Sequence, residues 1–424
     1  MNKIIFFFLF VLLLILPNTI DENFEEGFNF FELVTDIKNK VLTSFIEQKV
    51  EIKLTTEQLE LINESNAELT RISEESAKQI ALDLDTFLRD NIRQINYQIA
   101  LAEWNRFRND GGIKGIYLNG YYFNREQKLS SIENISISTD VNTIVLDVKT
   151  DNGHLLYESA LPQVDYLNNI RVKYDASSLL EFKERNDIYL IGRVVAFQDP
   201  VFAKKTPDAA IIDVSTGLPY SQNEQYFLDP SDPKSRQYVL DVALEACNLG
   251  FDEIQFDYIR YPDTSYKGLV YDEESSFETR TKNINSFLSN AKDLLHENGC
   301  LVSADIFGYV LNARNDNGIG QYLETIIDTV DFISPMIYPS HYSKGSFGYL
   351  NPNDHPYEVI TAALQRGLNR GIDPNKLRPF LQAFWHTSED VQYNIKAAED
   401  KQLDWILWNT ISSYELDYFT KLDT

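Results

Sequence analysis

The sequence predicts a barrel of eight strand–helix units preceded by a helical region. Three observations carry this expectation. Eight short, strand-like runs recur between residues 114 and 409, with helical runs between them. They occupy about 310 residues, the size of a (β/α)8 barrel with loop insertions. Gly120-Tyr121-Tyr122, after the first run, lacks the glycine-rich phosphate turn that a doubly wound open sheet would carry there.

The chain opens with Lys3 and an apolar run from Ile4 to Leu16, ended by Pro17. That length suits the core of an export signal and is short of the ~20 residues that span a bilayer. No small-x-small cleavage site follows, so residues 1–20 read as a signal peptide or an uncleaved N-terminal anchor, and therefore a membrane tether. The barrel would then lie outside the cytoplasm. Residues 21–110 read as helix: Thr55 and Gln58 fit a capping box, and Ile80, Leu84, Phe87, Leu88, Ile95 and Ile99 recur at helical spacing. A stalk, an oligomerising hairpin or a brace would all fit this segment.

Asp110-Gly111-Gly112 marks the start of the barrel, residues 111–424. The expected strands are Lys114–Asn119, Thr143–Lys149, Ile188–Val195, Glu253–Tyr258, Leu301–Phe307, Phe332–Tyr338, Arg378–Ala383 and Trp405–Asn409. The fourth is the most informative. Asp232-Pro233 opens a helix, with Asp232 as N-cap and Pro233 at the first position, and Gly250 closes it. Ile254 and Phe256 then share one face of the strand, and Glu253, Gln255 and Asp257 the other.

The same alternation sorts every strand. Facing inward near the C-terminal ends are Tyr117 and Asn119, Asp147 and Lys149, Arg193, Gln255 and Asp257, Asp305, Tyr338, Gln382 and Trp408, with His341 just beyond the sixth strand. One such group could be a satisfied core residue. Polar groups at the same end of most strands imply a wet or ligand-filled mouth, because each costs about 1–3 kcal/mol if buried without partners.

Composition narrows the chemistry. A net charge of −26 makes nucleic acid an improbable ligand. The five His are scattered, so no metal site or cofactor is expected. Cys247 and Cys300, the only cysteines, read as buried thiols. What remains is a set of carboxylates among aromatic and amide groups, the constellation that glycosidic hydrolysis uses. Asp257 and Asp305, on neighbouring strands, are the first pair. Asp147 is expected to be held ionised by Lys149 and Arg193.

Several blocks together resemble the bacterial putative glycosyl hydrolase domain family. They are Gly250-Phe251-Asp252-Glu253-Ile254-Gln255-Phe256-Asp257-Tyr258-Ile259-Arg260-Tyr261-Pro262, Lys114-Gly115-Ile116-Tyr117, Val145-Leu146-Asp147-Val148-Lys149, Gly192-Arg193-Val194-Val195, Ser303-Ala304-Asp305-Ile306-Phe307-Gly308 and Ile333-Ser334-Pro335-Met336-Ile337-Tyr338. The resemblance covers roughly residues 113–415. It implies a TIM barrel similar to the α-amylase and α-galactosidase superfamilies, with Asp257 as candidate nucleophile, and it brings no substrate. The resulting expectation is an exported hydrolase of an envelope or extracellular polysaccharide. Asp257 would be nucleophile and Asp305 acid/base, the two held about 5–6 Å apart as in retaining enzymes. Tyr117, Asn119, Asp147, Lys149, Arg193, Gln255, Tyr338, His341, Gln382 and Trp408 would bind the sugar. The alternative is a barrel that binds carbohydrate without turnover.

Overall fold

Each barrel strand is short, apolar on its outer face and bounded by turn residues, and all eight form. The computed structural model describes residues 74–420 and residue 422. The expected export segment and the Thr55–Gln58 capping box lie outside these residues. The strands are β1 (Lys114–Leu118), β2 (Thr143–Lys149), β3 (Tyr189–Val195), β4 (Glu253–Asp257), β5 (Leu301–Phe307), β6 (Phe332–Ile337), β7 (Phe380–Gln382) and β8 (Trp405–Trp408). They pair in parallel in sequence order, and β8 closes on β1. This is a TIM barrel.

Helices α1 (Glu74–Asn109), α2 (Glu126–Ser138), α3 (Ala176–Asn186), α4 (Pro233–Asn248), α5 (Phe277–Glu297), α6 (Leu323–Thr329), α7 (Pro356–Asn369) and α8 (Ser388–Glu399) account for the helical runs. Local sequence starts them. Asp232 accepts from the Ser235 amide at 2.7 Å with Pro233 at the first position of α4, and Ser276 with Thr279 forms a capping box on α5. Gly250, at φ +107°, turns the chain from α4 into β4.

The barrel has two apolar layers. Ile144, Leu146, Ile254, Phe256, Val302 and Ile306 face the helices. The interior holds Val145, Tyr189, Ile191, Leu301, Phe332, Phe380 and Ile406, and the last turns of α1 add Ala100, Trp104 and Phe107 to that cluster. Trp104 packs on Phe332 with ring centroids 4.9 Å apart, and Phe107 meets Tyr189 at 5.8 Å. Both partners begin their strands, so the last turns of α1 cover the N-terminal end of the barrel. Residues 93–424 accordingly form one compact unit.

Cys247 and Cys300 are bonded to each other, which corrects the expectation of free buried thiols. Cys247 lies near the end of α4 and Cys300 just before β5; because β4 pairs with both β3 and β5, these two points meet below the sheet. On the opposite side, the loops after β3 and β4 join. Ile212–Asp213 pairs with both Leu218–Pro219 and Leu269–Val270 over a small cluster of Ile211, Tyr220 and Phe227. Among the described residues no helix is long and apolar enough to cross a membrane.

Candidate active site

The C-terminal ends of β1 to β5 and β8 converge on a buried polar cluster centred on Arg193. Its Nη1 donates to Asp147 Oδ1 at 2.7 Å, while Nε and Nη2 donate to Asp257 Oδ2 at 3.0 and 2.6 Å. The second oxygen of Asp257 accepts from the Tyr258 amide at 2.6 Å. Both oxygens of Asp257 are therefore occupied by donors, the pattern of a carboxylate. Tyr258 adopts φ +50°, a left-handed conformation uncommon for a tyrosine, and this turns its amide back onto the preceding side chain.

Asp147 is held as tightly. Besides Arg193, it accepts from the Tyr117 hydroxyl at 2.6 Å and the Gly120 amide at 3.3 Å, both at Oδ2. Any side chain at position 120 would collide with the Asp147 backbone oxygen, 2.8 Å from a β-carbon built there, so glycine permits this approach. Burial pushes the Asp147 carboxyl above its usual range, and Arg193 and Tyr117 pull it back. The Tyr117 ring stacks on Trp408 at 3.9 Å, and the Arg193 guanidinium lies 5.0 Å from the Trp408 ring centre.

Asp305 differs from both. It is buried, and its Oδ1 has no hydrogen-bond partner. Burial, then the charge of Asp257, pushes its carboxyl well above the usual carboxylate range, against the opposing pull of Arg193. The register Phe256–Ala304 makes Asp257 and Asp305 the next residues on adjacent strands. Tyr338 stands beside them; its phenol is pushed up by burial and by the charges of Asp305 and Asp257. One carboxylate saturated with donors next to one carboxyl whose pKa is raised is an arrangement that acid–base and nucleophilic chemistry can use.

Of the residues expected here, Tyr117, Asp147, Arg193, Asp257, Asp305, Tyr338 and Trp408 come together. Lys149 does not. The β2–β3 register shifts between Asp147 and Lys149, so Lys149 falls opposite Val194 and turns toward the helices. There its ammonium is fully buried, 2.8 Å from both Asp199 and the Val195 carbonyl. Arg193 alone is thus the cation on Asp147. Gln255 lies deeper, donating to Ser334 Oγ at 3.0 Å. Asn119 caps the turn at Tyr121 and donates to the Thr410 carbonyl. Gln382 accepts from the Ser340 amide and hydroxyl and donates to the Phe384 carbonyl, so its amide braces two loops. His341 stands at the rim, exposed, against Tyr338 and Phe384.

Sequence reasoning missed Trp385, Phe384 and the isolation of Arg260. Arg260 is buried among the rings of Phe227, Tyr258 and Phe307 and donates to the Tyr261 carbonyl at 3.0 Å. Trp385 lies three residues beyond the seventh strand, and an aromatic pair just past a strand end is the signal that could have exposed it.

Residues 115–414 match the family described as putative glycosyl hydrolase domain. The chain belongs to that family. No curated protein matches the chain. Among solved structures, a hypothetical protein from Ruminiclostridium thermocellum ATCC 27405 is 34% identical, over 45% of this chain and 96% of that one, with a TM-score of 0.41. The glycoside hydrolase domain of PgaB (BpsB) from Bordetella bronchiseptica is 12% identical, over 71% of this chain and 94% of that one, with a TM-score of 0.53. The second likeness is one of fold: this glycosyl hydrolase domain shares its barrel.

Proposed function

We propose that the protein hydrolyses O-glycosidic bonds of an envelope or extracellular polysaccharide by a retaining, two-carboxylate mechanism. The observation that carries this reading is the pair at the ends of β4 and β5: Asp257 with every oxygen accepting, and Asp305 buried with an orphaned oxygen and a raised pKa. In the first step an Asp257 oxygen bonds to the anomeric carbon. The bond to the leaving oxygen breaks, and the Asp305 proton passes to that oxygen. In the second step Asp305 takes a proton from water, whose oxygen displaces Asp257 from the sugar. Arg193 fixes the orientation of Asp257 and screens it from Asp147, and the Tyr117–Trp408 stack offers an apolar face to the ring. Adjacent parallel strands are about 4.8 Å apart, which favours the short carboxyl separation of retaining enzymes over the ~6.5–9.5 Å of inverting ones.

Export fits the N-terminal apolar run and the Cys247–Cys300 bond, since disulfides persist in oxidising compartments. Screening labelled polysaccharides for new reducing ends tests the activity, and binding without release would defeat it. Where a substrate is found, NMR of the first anomeric product tests retention; an inverted product would discard the Asp257–Asp305 pair. Protease added to intact cells tests export, and a barrel protected in the cytosol would end that claim.

A further inference from the structure

Sugar rings on the two sides of a scissile bond need separate surfaces. The Tyr117–Trp408 stack lies with Arg193 and Asp147, in the sector from β8 through β1 to β3. A second aromatic path leaves the site from the other side. Tyr338, beside Asp305, meets His341 edge-on at 5.3 Å; His341 packs on Phe384 at 5.7 Å and faces Trp385 at 6.4 Å. Phe384 and Trp385 are themselves perpendicular, 5.2 Å apart. The path ends in solvent, because Trp385 is 81% exposed.

The backbone at this exposed ring is itself unusual. Trp385 has φ +56°, a region that disfavours bulky residues. Its neighbours are anchored: Gln382 holds the Phe384 carbonyl at 2.9 Å and Ser340 across the gap to the β6 loop. His386 bonds Asn394 of α8 and Asn353, each at 3.0 Å. A large apolar ring is thus presented to water on a braced turn, at the strand ends where the chemistry lies. His341 stands between it and the acid. Desolvation lowers the imidazole pKa from its usual value, and the ring in its neutral form offers one donor and one acceptor.

From this placement we infer that Trp385, with His341, forms a subsite for the leaving-group sugar, stacking the pyranose ring next to the bond that is broken. The inference rests on the proposed hydrolase reading. Its physical basis is directional: the proton donor must face the leaving oxygen, so the sugar that departs lies on the Asp305 side. The strand of Asp305 pairs with β6, and β6 with β7, beyond whose end the exposed ring stands.

The test compares substrates with and without a leaving-group sugar. Gluco-, galacto-, manno- and N-acetylglucosaminyl fluorides are set against hexasaccharides of the same glycone. Fluoride needs neither a proton donor nor a stacking surface. Trp385→Ala is expected to lower kcat/KM on the hexasaccharide about tenfold, the equivalent of losing one stacked ring face. Hydrolysis of the matching fluoride should be unchanged, and Trp385→Phe should restore most of the loss. Equal loss on both substrates, or none on the hexasaccharide, overturns the subsite. Wild-type protein that cleaves nothing in either panel would end the hydrolase reading instead. The subsite is then judged by hexasaccharide binding alone: affinity that Trp385→Ala weakens about tenfold keeps it, and absent or unchanged affinity ends it.

Discussion

Two clusters of arginine, tyrosine and carboxylate lie inside the same barrel, one at each end. At the α1 end, Arg378 donates through both terminal nitrogens to the two oxygens of Glu253, and the Tyr189 hydroxyl adds a bond at 3.2 Å. One cation meets one anion, every carboxylate oxygen is satisfied, and Trp104 and Phe107 seal the cluster from below. At the mouth, Arg193 is shared by Asp147 and Asp257, and among the described residues Asp305 Oδ1, next to them, finds no donor. Three carboxyls face one guanidinium. The same residue types are balanced at the floor and unbalanced at the mouth, where the proposed reaction needs a proton to move. Burial raises the carboxyl pKa of both Asp147 and Asp305, and the charge of Asp257 pushes Asp305 further up.

The comparison can be broken most sharply at Asp257. Asp257→Asn keeps an acceptor for Arg193 but removes the anion, and turnover should fall by about 10⁴-fold or more while the melting temperature shifts by only a few degrees. Activity near wild type would return the mouth cluster to a structural role. Next in size is Asp305→Ala. Loss of the proton donor should cost about 10²–10⁴-fold on unactivated glycosides and far less on 2,4-dinitrophenyl glycosides, whose leaving group needs no proton. A uniform loss across leaving groups would contradict the assignment.

The floor should behave in the opposite way. Arg378→Met leaves Glu253 buried and unpaired, which is expected to cost about 3–5 kcal/mol in denaturant unfolding without altering kcat of the folded fraction. A reduced kcat with unchanged stability would reverse the distinction between the two ends.

The smallest effect concerns pH. Asp305 keeps its proton in the folded state above the ~3.9 of an unperturbed aspartate. Stability from this group is therefore full below that value and is lost as pH rises toward the folded pKa. Asp305→Asn, which mimics the neutral form, should be progressively more stable than wild type as pH is raised through this window. The same titration removes the proton donor, so wild-type activity should fall on the alkaline side. Melting curves in parallel with rates across pH would show whether the two midpoints coincide, and a variant less stable than wild type at every pH would rule out the neutral carboxyl.

Most of the barrel and its central site were legible in the sequence because period-two alternation decides which side chains face inward. Phe256 and Ile254 against Asp257 and Gln255, or Leu146 against Asp147, read correctly for that reason. The rule fails where the backbone departs from regular pleat. At Lys149 a register shift sends a residue of the inward set to the outer layer, and no residue type in that stretch announces the shift. The cysteines were misread for a different reason. Their pairing depends on how the end of α4 and the start of β5 are juxtaposed by strand order, which is a property of the closed sheet. Trp385 escaped because it sits on a left-handed turn, and such turns are ordinarily marked by glycine or asparagine.

Family resemblance and structural integrity have different borders in this chain. The family match starts at residue 115, with the first strand, whereas Ala100, Trp104 and Phe107 already belong to the apolar interior. A chain begun at Gly111 would hold every residue of the polar cluster at the mouth and still open the barrel floor to water, baring Tyr189, Phe332 and the Glu253–Arg378 pair. The segment recognisable by descent is thus shorter than the compact unit it belongs to, and the closing turns of α1 are part of the difference.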